Sequence, residues 1–86
     1  FFALPAEGLD EVIALNLQGT LLPCQVFGAA MVERGEGSVV TISSMAAQRA
    51  LTRVLGYGAA KAAVENATRW LAVELGRSFG GRIRVN

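Results

Sequence analysis

The run Ser38-Val-Val-Thr-Ile-Ser43 limits the fold more than any other stretch of the chain. Its β-branched residues favour an extended backbone. Its apolar positions do not alternate cleanly with polar ones, the pattern of a parallel strand covered on both faces. A long apolar-striped segment precedes it, a second follows, and Arg82–Asn86 opens another strand-like alternation. Helix, strand, helix and strand in that order predict an α/β fold with a parallel sheet.

Size and composition narrow the setting. Eighty-six residues make at most one small domain, and a chain so short buries a modest share of its surface. Yet 52% of its residues are hydrophobic. A membrane protein is one reading, but a spanning helix needs about 18 or more apolar residues in succession. Glu33 and Arg34 close one apolar region, and Lys61, Glu65 and Arg69 punctuate the other. The better expectation is that residues 1–86 are a part of a larger α/β domain. A start on Phe1-Phe2 and a finish on the strand-like RIRVN fit that expectation.

The net charge of +1, with both signs interspersed, gives no nucleic-acid footprint. Cys24 is the one cysteine, which excludes an internal disulfide and suits a reducing, cytoplasmic compartment. The absence of histidine removes a Ser-His-Asp triad and any His-containing zinc site from this segment. No metal site is expected.

Pro5, with Glu7, Asp10 and Glu11 behind it, marks a helix start, and the helix is expected to become regular near Leu9. An apolar stripe then runs through Val12, Ile13, Leu17, Leu21 and Phe27 to a stop at Arg34-Gly35. Pro23 lacks an N–H for the carbonyl of Gly19, so a kink or opened turn is expected at Gly19–Pro23, just past Asn16. Residues 45–56 form a long loop. A second helix is expected from Gly56–Tyr57 to about Ser78, rich in alanine and apolar on several sides, with Gly80-Gly81 ending it.

Ligands of open parallel sheets gather at the carboxyl ends of the strands, where Ser43 and Ser44 fall. Tyr57 lies thirteen residues beyond Ser44, and Lys61 follows it by one helical turn, on the same face. A free phenol ionises near pH 10, and a neighbouring ammonium favours the phenolate. Such a tyrosine can protonate a carbonyl or deprotonate an alcohol while a serine hydroxyl stabilises charge on the same oxygen. Each feature has a plainer use: Tyr-x-x-x-Lys is common on helices, Ser-Ser caps turns, and Asn16 alone reads as a surface or helix-bending residue. Their joint occurrence at the end of one strand carries the chemistry.

The segments LNLQGT (15–20), GSVVTISS (37–44), YGAAK (57–61), LAVEL (71–75) and RIRVN (82–86) resemble the short-chain dehydrogenase/reductase family in order and spacing. The resemblance implies part of a doubly wound Rossmann-like sheet and a catalytic tetrad of Asn16, Ser44, Tyr57 and Lys61. It also implies NAD(P) as cofactor, with Ser43, Tyr57 and Lys61 touching it, and Ser44, Met45 and Tyr57 touching substrate. Homodimers or homotetramers through the two long helices are implied as well. LLPCQVFG and ISSMAAQRALTRVLGYGAAK look like the sugar-acid branch, the D-mannonate oxidoreductases (fructuronate reductases), which favours NAD and a D-fructuronate/D-mannonate couple. Arg49 and Arg53 in the loop would suit a carboxylate. The family's glycine-rich phosphate loop does not occur among these residues. The alternatives are another sugar, polyol or acyl ketone as substrate, or a non-catalytic α/β oligomerisation module.

Overall fold

A β-α-β unit forms the centre of the molecule. In the computed structural model, which describes residues 1–86, β1 (Gly37–Val39) and β2 (Ile83–Val85) pair in parallel. Gly37 stands opposite Ile83, Ser38 opposite Arg84 and Val39 opposite Val85. The connection between them is a short 3₁₀ turn (Met45–Ala47) and the long helix α3 (Leu55–Ser78). Before β1 come α1 (Ala6–Ile13), a π-helical turn (Ala14–Gln18) and α2 (Gly19–Arg34). The α/β class and parallel sheet match the sequence reading.

The core lies where α3 meets the sheet. Val64 and Ile83 are each 1% exposed, Ala60 is fully buried and Val85 is close to it. Burying a valine or isoleucine completely contributes about 2 kcal/mol. The alanine at position 60 lets the helix axis approach the strands, and Val64, one turn on, fills the space above Ile83. At the start of α3, Leu9 and Val12 of α1 close over Gly56, where a Cβ would stand 3.1 Å from Leu9 Cδ1.

Only one face of this layer is covered. The radius of gyration is 14.8 Å, against about 12 Å for a compact domain of this length. Val40 and Ile42 are each 70% exposed, whereas Val39, Thr41 and Ser43 turn toward α3. Within residues 1–86 the strand run is covered on one face. Leu22, Val26 and Phe27 on α2, with Trp70 and Val73 on α3, also stand exposed.

Several boundaries differ from expectation. The first helix begins at Ala6, not near Leu9, because Pro5 caps it from an extended conformation with φ −73° and ψ 140°. The opened turn lies at Ala14–Gln18, one turn before the segment expected from Pro23. There the Gly19 N–H reaches back five residues to the Ala14 carbonyl, and α-helical geometry resumes through Pro23 itself. The paired strand covers 37–39, and beyond it the Thr41 N–H donates to the Asn86 carbonyl at 2.8 Å. The loop at 45–56 opens with an ordered 3₁₀ turn, and α3 starts at Leu55.

One exclusion made from sequence also needs correction. Ala6–Arg34 forms a continuous 29-residue helical stretch whose most apolar window averages 1.3 in hydropathy, so by length and composition it qualifies as a span. Asn16, Gln18, Thr20 and Gln25 sit within that stretch, and its inner side packs on β1 and α3. A core helix of an α/β layer meets the same measure.

Beyond the ladder, side chains hold the strand end to α3. The Thr68 hydroxyl donates to the Val64 carbonyl at 2.6 Å, so Thr41 donates to Thr68 across a 2.7 Å contact. Lys61 Nζ donates to the Ile42 carbonyl at 2.9 Å. The Ser43 hydroxyl donates to Glu65 Oε1 at 2.6 Å. The Ser43 bond, a partly opposing burial, the Gln48 side chain and the Arg69 guanidinium together hold the Glu65 carboxyl below its ordinary value of 4.5.

Two outcomes follow. A Cβ on Gly58 would stand 2.6 Å from the Ala46 carbonyl oxygen, so Gly58→Ala should destabilise by about 1–3 kcal/mol in a denaturant melt. The gain of about 1 kcal/mol that alanine normally brings to a helix would show instead that the contact yields freely. For Glu65, a depressed folded pKa means stabilisation present above the unfolded value and lost as pH falls through the folded one. The Tm difference between wild type and Glu65→Gln should be constant near neutrality and shrink below about pH 4.5. A difference that widens on acidification would contradict the assignment.

Candidate active site

The end of the β1 run and the first two turns of α3 bring three of the four sequence-derived residues to one place. Ser44 is extended (φ −156°, ψ 155°) and caps the 3₁₀ turn, its Oγ accepting from the Ala46 N–H at 3.2 Å. The plain capping role raised from sequence is thus real. It also has a chemical consequence. The backbone amide occupies one lone pair, and the Ser44 hydroxyl proton goes to no protein acceptor, so it can be offered to an oxygen outside the chain.

Tyr57 and Lys61 occupy successive turns of α3. Lys61 Nζ lies 5.8 Å from the centre of the Tyr57 ring, within range of a cation–π attraction. The same ammonium donates to the Ile42 carbonyl, two residues before Ser44. It has three N–H donors, and this contact uses one. Lys61 therefore links the helix turn that carries Tyr57 to the strand end that carries Ser44.

Asn16 stands inside the π turn, which packs against α3. Its side-chain amide donates to the Val12 carbonyl at 3.1 Å, and its own carbonyl accepts from the Thr20 hydroxyl at 3.2 Å. The side chain is thus turned back along its own helix, while the widened backbone faces the helix that holds Lys61. Single π turns recur at functional sites because they free or redirect a backbone carbonyl.

Ser43, assigned from sequence to the cofactor, directs its hydroxyl at Glu65. Met45 begins the 3₁₀ turn and is 67% exposed. Sequence reasoning did not find Glu65, Thr41, Thr68 or Gly58 as parts of this arrangement. The signal for Glu65 was present: Lys61, Glu65 and Arg69 recur every fourth residue and so share one edge of α3. Gly58 gave no such signal, because a glycine near a helix start is ordinary and its close approach to Ala46 is a tertiary fact.

Two clefts border the site. One, of about 930 Å³, lies between the amino-terminal segment and the loop, and Tyr57, Arg49, Arg53, Leu9 and Val12 line it. Arg53 is held there in the left-handed region at φ 67°. The other, of about 420 Å³, runs between α2 and the strand end, with Thr20, Pro23, Ile42 and Lys61 along it. Tyr57 and Lys61 thus open onto different clefts. The ammonium joins the two elements, since it contacts both the tyrosine ring and the strand end.

Comparison with known proteins gives the family. A family model described as enoyl-(acyl carrier protein) reductase matches residues 1–86. The D-threitol dehydrogenase of Mycolicibacterium smegmatis is 42% identical over 88 residues, covering 95% of this chain and 32% of that protein. The NAD-dependent glycerol dehydrogenase of Listeria innocua is 39% identical over 71 residues, covering 83% of this chain and 28% of that protein. Among solved structures, a short chain dehydrogenase from Bacillus anthracis superposes with a TM-score of 0.88 at 38% identity, over 96% of this chain and 34% of that one. The chain spans about a quarter to a third of the length of the curated relatives it matches. Matched from end to end in sequence and nearly so in backbone, and with Tyr57 and Lys61 on the helix that follows the Ser44 turn, it belongs to the short-chain dehydrogenase/reductase family.

Proposed function

We propose that this chain is the proton-handling portion of an NAD(P)-dependent oxidoreductase that interconverts an alcohol and a ketone. The observation that carries the reading is the Lys61 ammonium, 2.9 Å from the Ile42 carbonyl and 5.8 Å from the Tyr57 ring centre. Reduction needs a proton at the carbonyl oxygen and a donor to stabilise charge there as it develops. The Tyr57 hydroxyl supplies the proton, and the Ser44 hydroxyl, oriented by the Ala46 amide, donates to the same oxygen. In oxidation Tyr57 takes the proton from the alcohol.

The donor set fits a nicotinamide dinucleotide. Lys61 has N–H donors left for ribose hydroxyls, and Tyr57 stands one turn away. Ser43 would contribute through its backbone, its hydroxyl proton being directed to Glu65. The bound cofactor supplies or accepts the hydride. The rest of the domain, with its phosphate-binding loop, is the counterpart of residues 1–86 in this reading. Asn16 completes the tetrad through the opened backbone of the π turn rather than through its amide.

The substrate proposed is a sugar acid of the D-fructuronate/D-mannonate type, with NAD the preferred cofactor. Arg49 and Arg53 support it, because they line the same cleft as Tyr57 and can pair with a carboxylate. A polyol or its ketose is the second reading, favoured by the likeness to the threitol and glycerol dehydrogenases. Met45 borders substrate in either case. The exposed apolar faces of α2 and α3 are proposed to pair copies of the protein into a homodimer or homotetramer. A cytoplasmic enzyme with no nucleic-acid or membrane partner goes with this reading.

In the full-length protein, Tyr57→Phe should lower kcat by about 100-fold or more while NADH or NADPH binding stays within about twofold. Retained turnover would reject Tyr57 as the acid/base. The same preparation, offered D-fructuronate, ketoses and an acyl ketone with NADH and NADPH, should give the highest kcat/KM with D-fructuronate and NADH. A ketose ahead of it would favour the polyol reading. Sedimentation should find the wild type oligomeric and Trp70→Glu shifted toward monomer; an unshifted assembly would place the interface elsewhere.

A further inference from the structure

The strand end and α3 are joined by more than Lys61. Thr41, Ile42 and Ser43 are consecutive, and each is bonded to a different turn of α3, at Thr68, Lys61 and Glu65 respectively. Of these contacts the Ser43–Glu65 bond lies nearest Ser44. At 2.6 Å it has the length of a hydroxyl donating to an ionised carboxylate, a class roughly twice as strong as neutral hydrogen bonds. Arg69 lies 3.5 Å from the other carboxylate oxygen, so both oxygens of Glu65 are engaged.

We propose that Glu65 is a positioning residue of the active site, which sets the direction of the Ser44 hydroxyl by fixing Ser43. The route is short. Successive side chains of an extended segment point to opposite sides, so anchoring the Ser43 side chain on α3 fixes the rotation of the next residue about the strand axis. Ser44 is extended, and the Ala46 amide then sets its side chain. Tyr57 and Lys61 lie on the helix that carries Glu65, two turns and one turn before it. One helix therefore bears the proton donor and also holds the strand end that bears its partner. If Glu65 were lost, Ser44 would be tied to that helix only through the Thr41–Thr68 and Lys61–Ile42 contacts, both farther back along the strand, and the turn that follows. An error near 1 Å in such placement can cost about 100-fold in rate.

This inference rests on the proton-transfer reading of Ser44 and Tyr57, and the test separates the two. In the full-length protein, Ser43→Ala, Glu65→Ala, their double variant and Glu65→Gln are compared with wild type. kcat is expressed per site that binds NADH or NADPH, so a loss of folded protein does not count as a loss of rate. Each alanine variant should lose about 10- to 100-fold in kcat per site with cofactor affinity within about twofold. The double variant should be no worse than the worse single, because both remove one bond. Glu65→Gln, whose amide oxygen still accepts from Ser43, should stay within about threefold of wild type. Unchanged kcat in Ser43→Ala, multiplying losses in the double variant, or a glutamine variant as impaired as the alanine one would each overturn the assignment. Should Glu65→Ala fail to fold, Ser43→Ala and Glu65→Gln still decide it. An active Tyr57→Phe enzyme would overturn the underlying reading instead, whereas an inactive one beside normal Ser43→Ala and Glu65→Ala enzymes would overturn only the role given to Glu65.

Discussion

The lacing of residues 41–43 to α3 is the constraint on which the site depends. Backbone bonds between the β1 run and residues 82–86 reach Thr41, and the candidate residues follow it. From there a threonine pair, a lysine on a main-chain carbonyl and a serine on a carboxylate continue the attachment along three turns of helix. The apolar contact of Ala60 and Val64 with Ile83 and Val85 sets how close helix and sheet stand. The polar contacts set how they are aligned along the strand. Packing alone tolerates small sliding, whereas directional bonds at three successive positions do not.

The tight approach of Gly58 to Ala46 acts in the same sense at the other end of the loop. It presses the first turn of α3 against the 3₁₀ turn that Ser44 caps, so the residue beside Tyr57 touches the segment beside Ser44. The arrangement leaves much apolar surface open on the far side of the strand and on α2 and α3. Such open faces account for a composition so apolar in so short a chain.

Much of this was legible in the sequence. The β-branched run at 38–43, the alanine-rich helix and the closing RIRVN gave the class and the order of elements, because strand and helix periodicities are local properties. The spacing of Ser44, Tyr57 and Lys61 anticipated the strand end and helix turns on which they lie, because such elements convert sequence separation into position. What stayed hidden was tertiary. The place of the opened helical turn depends on how Ala14–Gln18 packs against α3 and not on Pro23 alone. Glu65 reads as one more surface charge until Ser43 is seen facing it. Which of residues 38–43 pair depends on where a neighbouring strand lies, about which those residues say nothing by themselves.

The π turn has a consequence for the helix that contains it. A π turn holds one residue more than the α-helical turn it replaces, and one residue corresponds to about 100° of rotation about the axis. Residues on either side of Ala14–Gln18 therefore do not belong to one helical wheel, although they form one unbroken rod. The stripe of α1 is phased to meet the start of α3 at Gly56, and the stripe of α2 is phased separately to meet β1. Asn16 sits at the phase change, so a single inserted position lets one helix serve two differently oriented neighbours.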